Sequence, residues 1–168
     1  VVLGDRIEGL ASTASLNPKR LRFYNFSTDE VRLFWLSYEG RAVHYGAIHG
    51  RGYLDITTYC GHPWVGRFTS DGDLCHFQFH LPACKTHKIY VGLVPDPANV
   101  IVRTNICIVR PLSDSLIDRS LRAVCKSIEY KTDRIADLPV PYSLKTRLEG
   151  IVKRREELLK PNHYIQRR

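Results

Sequence analysis

Residues 100–128, VIVRTNICIVRPLSDSLIDRSLRAVCKSI, change their apolar period part-way along. Val100 to Val109 is rich in β-branched residues, as a strand is, whereas Ile117, Leu121, Val124 and Ile128 recur at the offsets of one helical stripe. Arg110-Pro111 separates the two regimes, and Ser113 or Asp114 can cap the helix that follows. The chain is therefore expected to be α+β, with an N-terminal β-sandwich domain over residues 1–109 and a small α-helical domain over residues 110–168.

Upstream of the switch the pattern is strand-like almost throughout. Arg20 to Tyr24, Val31 to Tyr38, Gly52 to Tyr59, Trp64 to Phe68, Leu74 to Leu81 and Ile89 to Val94 are short runs rich in Val, Ile, Tyr, Phe and Thr. Glu39-Gly40, His49-Gly50, Asp71-Gly72 and Pro95-Asp96-Pro97 punctuate them, which is the rhythm of a β-sandwich. Residues 1–16 are weakly patterned, and Asn17-Pro18 predicts a turn. Downstream, Pro139-Val140-Pro141 breaks the chain before a closing amphipathic helix marked by Leu144, Leu148, Ile151, Val152, Leu158 and Leu159. A second line on the first helix, Leu112, Leu116, Ser120 and Ala123, shortens after Leu116 and would let another chain approach closely. So few helical residues are not expected to cover both apolar faces.

Composition narrows the function classes. The chain has 168 residues, 25 Lys+Arg against 17 Asp+Glu and 43% hydrophobic residues, which excludes disorder, collagen and coiled coil. No stretch approaches the roughly 18 apolar residues of a spanning helix. Five irregularly spaced cysteines are expected to be reduced thiols of an intracellular protein, and Asn25-Phe26-Ser27 is then a chance match to a glycosylation acceptor. The basic surplus is concentrated in residues 110–168, with 14 Lys+Arg against 8 Asp+Glu. Acids are mixed among the bases, so a solvated surface explains it as well as an acidic ligand does.

Trp35, Tyr45, Tyr59 and Trp64, interleaved with Thr58, Gly61 and His62, fit a pocket of flat apolar walls with a few polar tips. A sandwich core with tyrosine hydroxyls at its rim fits the same residues. Three other chemistries compete. Cys75, His76, His80, Cys84 and His87 supply possible zinc ligands, although strand alternation, with His76, Gln78 and His80 on one face, explains most of that spacing. Cys60 and His62 are two apart, but Gly61-His62-Pro63 has the composition of a turn and no orienting carboxylate is near in sequence, against a thiol hydrolase. A single-stranded nucleic-acid-binding β surface would need bases around the aromatics, and only Arg41, Arg51 and Arg67 are close in sequence.

Residues 35–40, Trp-Leu-Ser-Tyr-Glu-Gly, then Tyr45, then residues 57–64, Thr-Thr-Tyr-Cys-Gly-His-Pro-Trp, resemble the von Hippel-Lindau tumour suppressor family in residue type and spacing. The likeness runs without a gap from Phe23 to Arg67 through Asn25, Gly40 and Gly61. It loosens over an insertion from Cys75 to His87 and resumes near Ile89 and at Pro111. The resemblance implies a non-catalytic, cofactor-free substrate receptor of a cullin-RING ubiquitin ligase, cytoplasmic and nuclear, that binds the hydroxylated hypoxia-inducible factor alpha subunit. Substrate contacts would come from Trp35, Tyr45, Thr57, Thr58, Tyr59, His62 and Trp64. In that scheme Trp35, Tyr45 and Trp64 wall a pyrrolidine ring, His62 and Thr58 pair with its hydroxyl, and the Tyr45 hydroxyl meets a substrate carbonyl; the family usually has Ser where Thr58 stands. Residues 115–124 resemble the box that binds elongin C (with elongin B), implying contacts from Leu112, Leu116, Arg119, Ser120, Ala123 and Val124. Ser120 occupies a position where the family has Cys or Ala. Leu138-Pro139 followed by Tyr142, Leu144 and Leu148 resembles the element that contacts the cullin, which brings its RING subunit, and implies contacts from Leu138, Pro139 and Leu144. Neither metal nor nucleic acid is implied.

Overall fold

The computed structural model describes residues 10–79, 86–92, 102–111 and 115–160. Eight strands come first among them: β1 (Pro18–Asn25), β2 (Val31–Leu36), β3 (Ala42–Ile48), β4 (Tyr53–Tyr59), β5 (Pro63–Phe68), β6 (His76–Phe79), β7 (Ile89–Val91) and β8 (Arg103–Val109). Helices α1 (Leu116–Ser127), α2 (Asp133–Ala136) and α3 (Tyr142–Leu159) follow. The strands form two four-stranded sheets, ordered β4-β1-β8-β6 and β3-β2-β5-β7. β1 and β8 pair in parallel, and the other named pairs are antiparallel. The expected α+β architecture, sandwich first and helices after, is what the chain adopts.

Alternation sends Leu21, Phe23 and Asn25 of β1 inward and turns Arg20, Arg22 and Tyr24 outward. Phe23 is the hub of the core, its ring centroid 5.5 Å from Phe77, 5.9 Å from Tyr90 and 6.0 Å from Trp64. Val31, Leu33, Ile48 and Phe68 face Leu21, Ile56, Ile106 and Ile108 across it. Asn25 closes β1 with its amide nitrogen donating to the carbonyls of Asp29, Ile48 and His49, while its oxygen accepts from Ser27. That side chain is buried and engaged at both ends, so the acceptor pattern at Asn25 offers nothing to a glycosylating enzyme in the folded chain.

Several boundaries differ from expectation. β3 carries no clean alternation, because Gly46 and Ala47 dilute the apolar signal and only Ile48 is buried, so this strand was not among the expected runs. β2 stops at Leu36, where Ser37 to Gly40 turn with Gly40 at φ +73°. β6 begins at His76, and Leu74 makes only an isolated bridge to Arg67. Residues 80 and 81, 93–101 and 112–114 lie outside the described residues, and with them parts of three expected strands. The cap of α1 is Ser115, not Ser113 or Asp114: its hydroxyl accepts from the Asp118 N–H while the Asp118 carboxylate accepts from the Ser115 N–H. The helical core gathers Leu121, Cys125, Ile128, Ile135, Leu148, Ile151 and Val152, with Val124 and Leu144 at its margin. Ile117, expected in that stripe, is instead 54% exposed and joins Leu116 on the open face of α1.

The helices are bolted to the sandwich at the turn after β5. Asp71 is fully buried, and its Oδ2 lies 2.8 Å from Arg110 Nη1 and 3.5 Å from Arg122 Nη1. The same Arg110 reaches Asp29 at 2.6 Å and Ser70 at 2.8 Å and lies over the Phe68 ring. From α3, Arg154 pairs with Asp73 at 3.2 Å and donates to the Asp71 carbonyl, while Arg32 of β2 donates to the Leu158 carbonyl. Gly72, at φ +73°, admits this contact, since a Cβ there would stand 2.8 Å from the Arg154 Cβ. Burial pushes the Asp71 carboxyl up while Arg110 pulls it back. Breaking such a pair costs far more than it contributes beside an apolar replacement, because the arginines would be left uncompensated. Asp71→Asn is expected to lower stability by about 3 kcal/mol in urea denaturation, whereas substitution of the exposed Asp133 should be within measurement error.

Candidate functional site

The aromatic residues singled out from sequence come together at one end of the sandwich. Register places Trp35 of β2 opposite Trp64 of β5. Tyr45 joins them through an irregularity: Leu33 pairs with Gly46 and Phe34 with His44, which leaves Tyr45 as the extra residue of a bulge. Its ring meets Trp64 edge-on at 5.0 Å. Thr58 comes from the other sheet, and its Oγ1 accepts from Trp64 Nε1 at 3.1 Å, a buried bond that ties the two sheets beneath the aromatics.

His62 follows a turn in which its N–H donates to the Tyr59 carbonyl and Gly61 holds φ +76°. The imidazole stacks on Trp35 at 5.5 Å and is flanked by Tyr59 at 5.3 Å and Tyr38 at 5.8 Å. Thr58, His62 and Trp64 are each no more than 5% exposed, while Trp35 and Tyr59 are half-buried and Tyr45 is 47% exposed. The polar groups Thr58 and His62 are thus buried among rings of which Trp35, Tyr59 and Tyr45 keep exposed surface, the makeup of a small-ligand site. Thr57 is the expected member that the fold does not bring in, since alternation along β4 exposes it on the face away from Thr58.

A segment that composition marked as unpatterned completes the site. Ser12 is buried; its hydroxyl accepts from Trp35 Nε1 at 2.6 Å and donates to the Leu36 carbonyl at 2.5 Å. The Thr13 carbonyl lies 3.1 Å from His62 Nε2, and the Ser15 hydroxyl lies 2.6 Å from the Tyr38 hydroxyl and 3.4 Å from His62 Nε2. Two glycines make room for this strap. A Cβ on Gly40 would stand 2.9 Å from the Leu10 carbonyl oxygen, and one on Gly61 would overlap Thr13 Oγ1.

Residues 10–80 match the family model of the VHL beta domain. Residues 10–80 are therefore a VHL beta domain by sequence. The matched span includes the strap and the whole aromatic site. The family's part in a ubiquitin ligase is substrate recognition, an adaptor's role and not a catalyst's.

Cys75 is buried in the sandwich core with its thiol proton held by burial, whereas His76, next along the strand, is directed outward and bonds the Thr86 hydroxyl at 3.0 Å. His80 and Cys84 lie outside the described residues, and among the described ones no group of three His, Cys, Asp or Glu side chains is placed to hold a metal ion. Of the three arginines a nucleic-acid surface would have used, Arg67 is buried and donates to the Gly72 carbonyl at 2.6 Å.

In the helical region, Leu116 is 79% exposed beside Ile117, and Arg119, Ser120 and Ala123 continue the exposed face while Val124 is half-buried against the helical core. The Ser120 hydroxyl donates to the Leu116 carbonyl at 2.9 Å. Leu112 lies outside the described residues. Leu138 and Leu144 pack on the helical core with Pro139 exposed between them, and Tyr142 of the same expected element is 83% exposed.

Burial lowers the pKa of His62 from 6.5, and its bond to Thr13 recovers part of the shift. The folded chain therefore holds the ring neutral where the unfolded chain would protonate. The resulting stability is complete above pH of about 6.5 and falls as pH drops from there toward the lower folded value. Denaturation midpoints followed from about pH 7.5 to about pH 5 should fall less steeply in His62→Ala than in the unsubstituted chain. His44 and His76, also lowered by burial, are present in both proteins and cancel in the difference; parallel profiles would contradict the assignment.

Proposed function

We propose that this chain is the substrate-recognition subunit of a cullin-RING ubiquitin ligase, acting in cytoplasm and nucleus, that binds a hydroxylated proline of the hypoxia-inducible factor alpha subunit and directs its degradation. One observation carries the reading: a buried threonine hydroxyl bonded to Trp64 and a buried histidine stacked on Trp35 are set among aromatic rings, the two tryptophans being register partners. Trp35, Tyr45 and Trp64 take the pyrrolidine ring, and Thr58 with His62 take its hydroxyl. Selectivity comes from the cost of failure. An unmodified proline leaves buried polar groups unpaired at about 1 to 3 kcal/mol each, and sites built around a hydroxyl reject its absence by several powers of ten.

The helical region supplies the link to the ligase. Leu116 and Ile117, exposed at the start of α1 with small residues behind them, dock on elongin C, which brings elongin B, the cullin and its RING subunit. The Ser120 hydroxyl is already bonded to the helix backbone, so a partner covering it strands no donor.

The deciding experiment is calorimetry with a hydroxyproline peptide and its unhydroxylated twin. Tight binding of the first alone is expected, and equal binding of both, or of neither, would remove the reading. His62→Ala should lose the discrimination while staying folded, whereas Trp64→Ala should also cost about 3 kcal/mol of stability because the ring is buried. Leu116→Ala should weaken elongin C capture by about 2 kcal/mol and leave peptide binding intact. Ser120→Cys should keep that capture. Loss of peptide binding in Leu116→Ala, with capture unchanged, would reverse the division of labour between the two regions.

A further inference from the structure

We propose that residues 12–15 fix the tautomer of His62 and with it the hydrogen-bond polarity of the site, and that Ser12 is the positioning residue that holds them. This deepens the hydroxyproline reading and rests on it for the identity of the ligand. A carbonyl oxygen can only accept, so the Thr13 carbonyl at 3.1 Å requires the proton to be on Nε2. Nδ1 of the neutral ring is then a bare acceptor. On the opposite side an indole N–H can only donate, so Thr58 Oγ1 accepts from Trp64 and keeps its own proton to give. The site thus offers one acceptor and one donor. An alcohol matches both at once, whereas a fluorine, ether or ketone, which only accept, would leave His62 Nδ1 facing a second acceptor.

The strap can set this polarity because it is tied down independently of any ligand. Ser12 bonds Trp35 Nε1 and the Leu36 carbonyl through its hydroxyl and the Ser37 carbonyl through its N–H. Thr13 donates from its N–H to the Gly61 carbonyl and from its hydroxyl to the Cys60 carbonyl. Gly40 and Gly61, both at positive φ, lie where any side chain would strike the strap. Without the Ser12 hydroxyl, the Trp35 wall and the Thr13 carbonyl lose their common anchor. A merely structural tether would affect stability and leave tautomer and ligand polarity untouched.

Nitrogen-15 NMR of His62 in the unsubstituted, ligand-free chain tests the first part, with the Nε2–H tautomer expected. Peptides carrying 4-hydroxyproline, 4-fluoroproline or proline test the second: the fluorinated peptide should bind no better than the plain one. Ser12→Ala should weaken the hydroxylated peptide roughly tenfold or more, a larger loss than the plain peptide shows, and Ser12→Thr, which keeps the hydroxyl, should restore it. An Nδ1–H tautomer, or full affinity for the hydroxylated peptide in a folded Ser12→Ala, would overturn the proposal. If Ser12→Ala fails to fold, the tautomer of the unsubstituted chain decides. Should the unsubstituted chain bind all three peptides alike, the hydroxyproline reading falls, and the tautomer still reports on the strap by itself.

Discussion

Asp71 is the residue on which the arrangement of the molecule depends. Its carboxylate is wholly buried and collects arginines from the chain crossing (Arg110) and α1 (Arg122), while its backbone carbonyl takes a third from α3 (Arg154). A charge in that position is tolerable only when its partners are in place, so the sandwich and the helices have one acceptable relation. The aromatic site on β2 to β5 and the exposed end of α1 are consequently held by one frame, although they belong to different kinds of structure. For an adaptor, whose task is to hold one partner at a set position from another, that rigidity is the functional property.

The site has a similar logic on a smaller scale. Thr58 and Trp64 join the two sheets, the bulge at Tyr45 adds an aromatic that regular pairing would have turned away, and the strap completes the far wall. Its polar atoms are already engaged by groups that fix what each has left to offer. Recognition is prepared in the free protein, which reduces the ordering that binding must bring about.

How much of this was legible in the sequence follows the range of the interactions. The β1, β2, β4 and β5 patterns, the switch at Arg110-Pro111 and the aromatic set with His62 are local or nearly so, and each could be read from residue type and spacing. β3 was hidden because a mostly half-buried strand with Gly46 and Ala47 in it has no clear alternation to show. Ile117 reads as core because periodicity alone does not tell which turns of a helical stripe are covered. The strap works through backbone carbonyls and short hydroxyls, which leave no periodic trace. Asp71 was visible only as turn punctuation before a glycine, since its partners Arg110 and Arg122 are distant in sequence.

The parallel pairing of β1 with β8 bears on how the chain reaches this state. β1 lies inside its sheet, between β4 and β8, yet β8 is the last of the described strands to emerge during synthesis. Until residues 103–109 arrive, one edge of β1 has open amide and carbonyl groups, and closing it joins the most distant strands of the sandwich. Such long-range closure is slow compared with hairpin formation, and an open edge can pair with another chain in the interval. The nascent β region is therefore most prone to aggregate before its last strand is made, and substitutions in β8 should lower the yield of folded protein out of proportion to their effect on the finished structure.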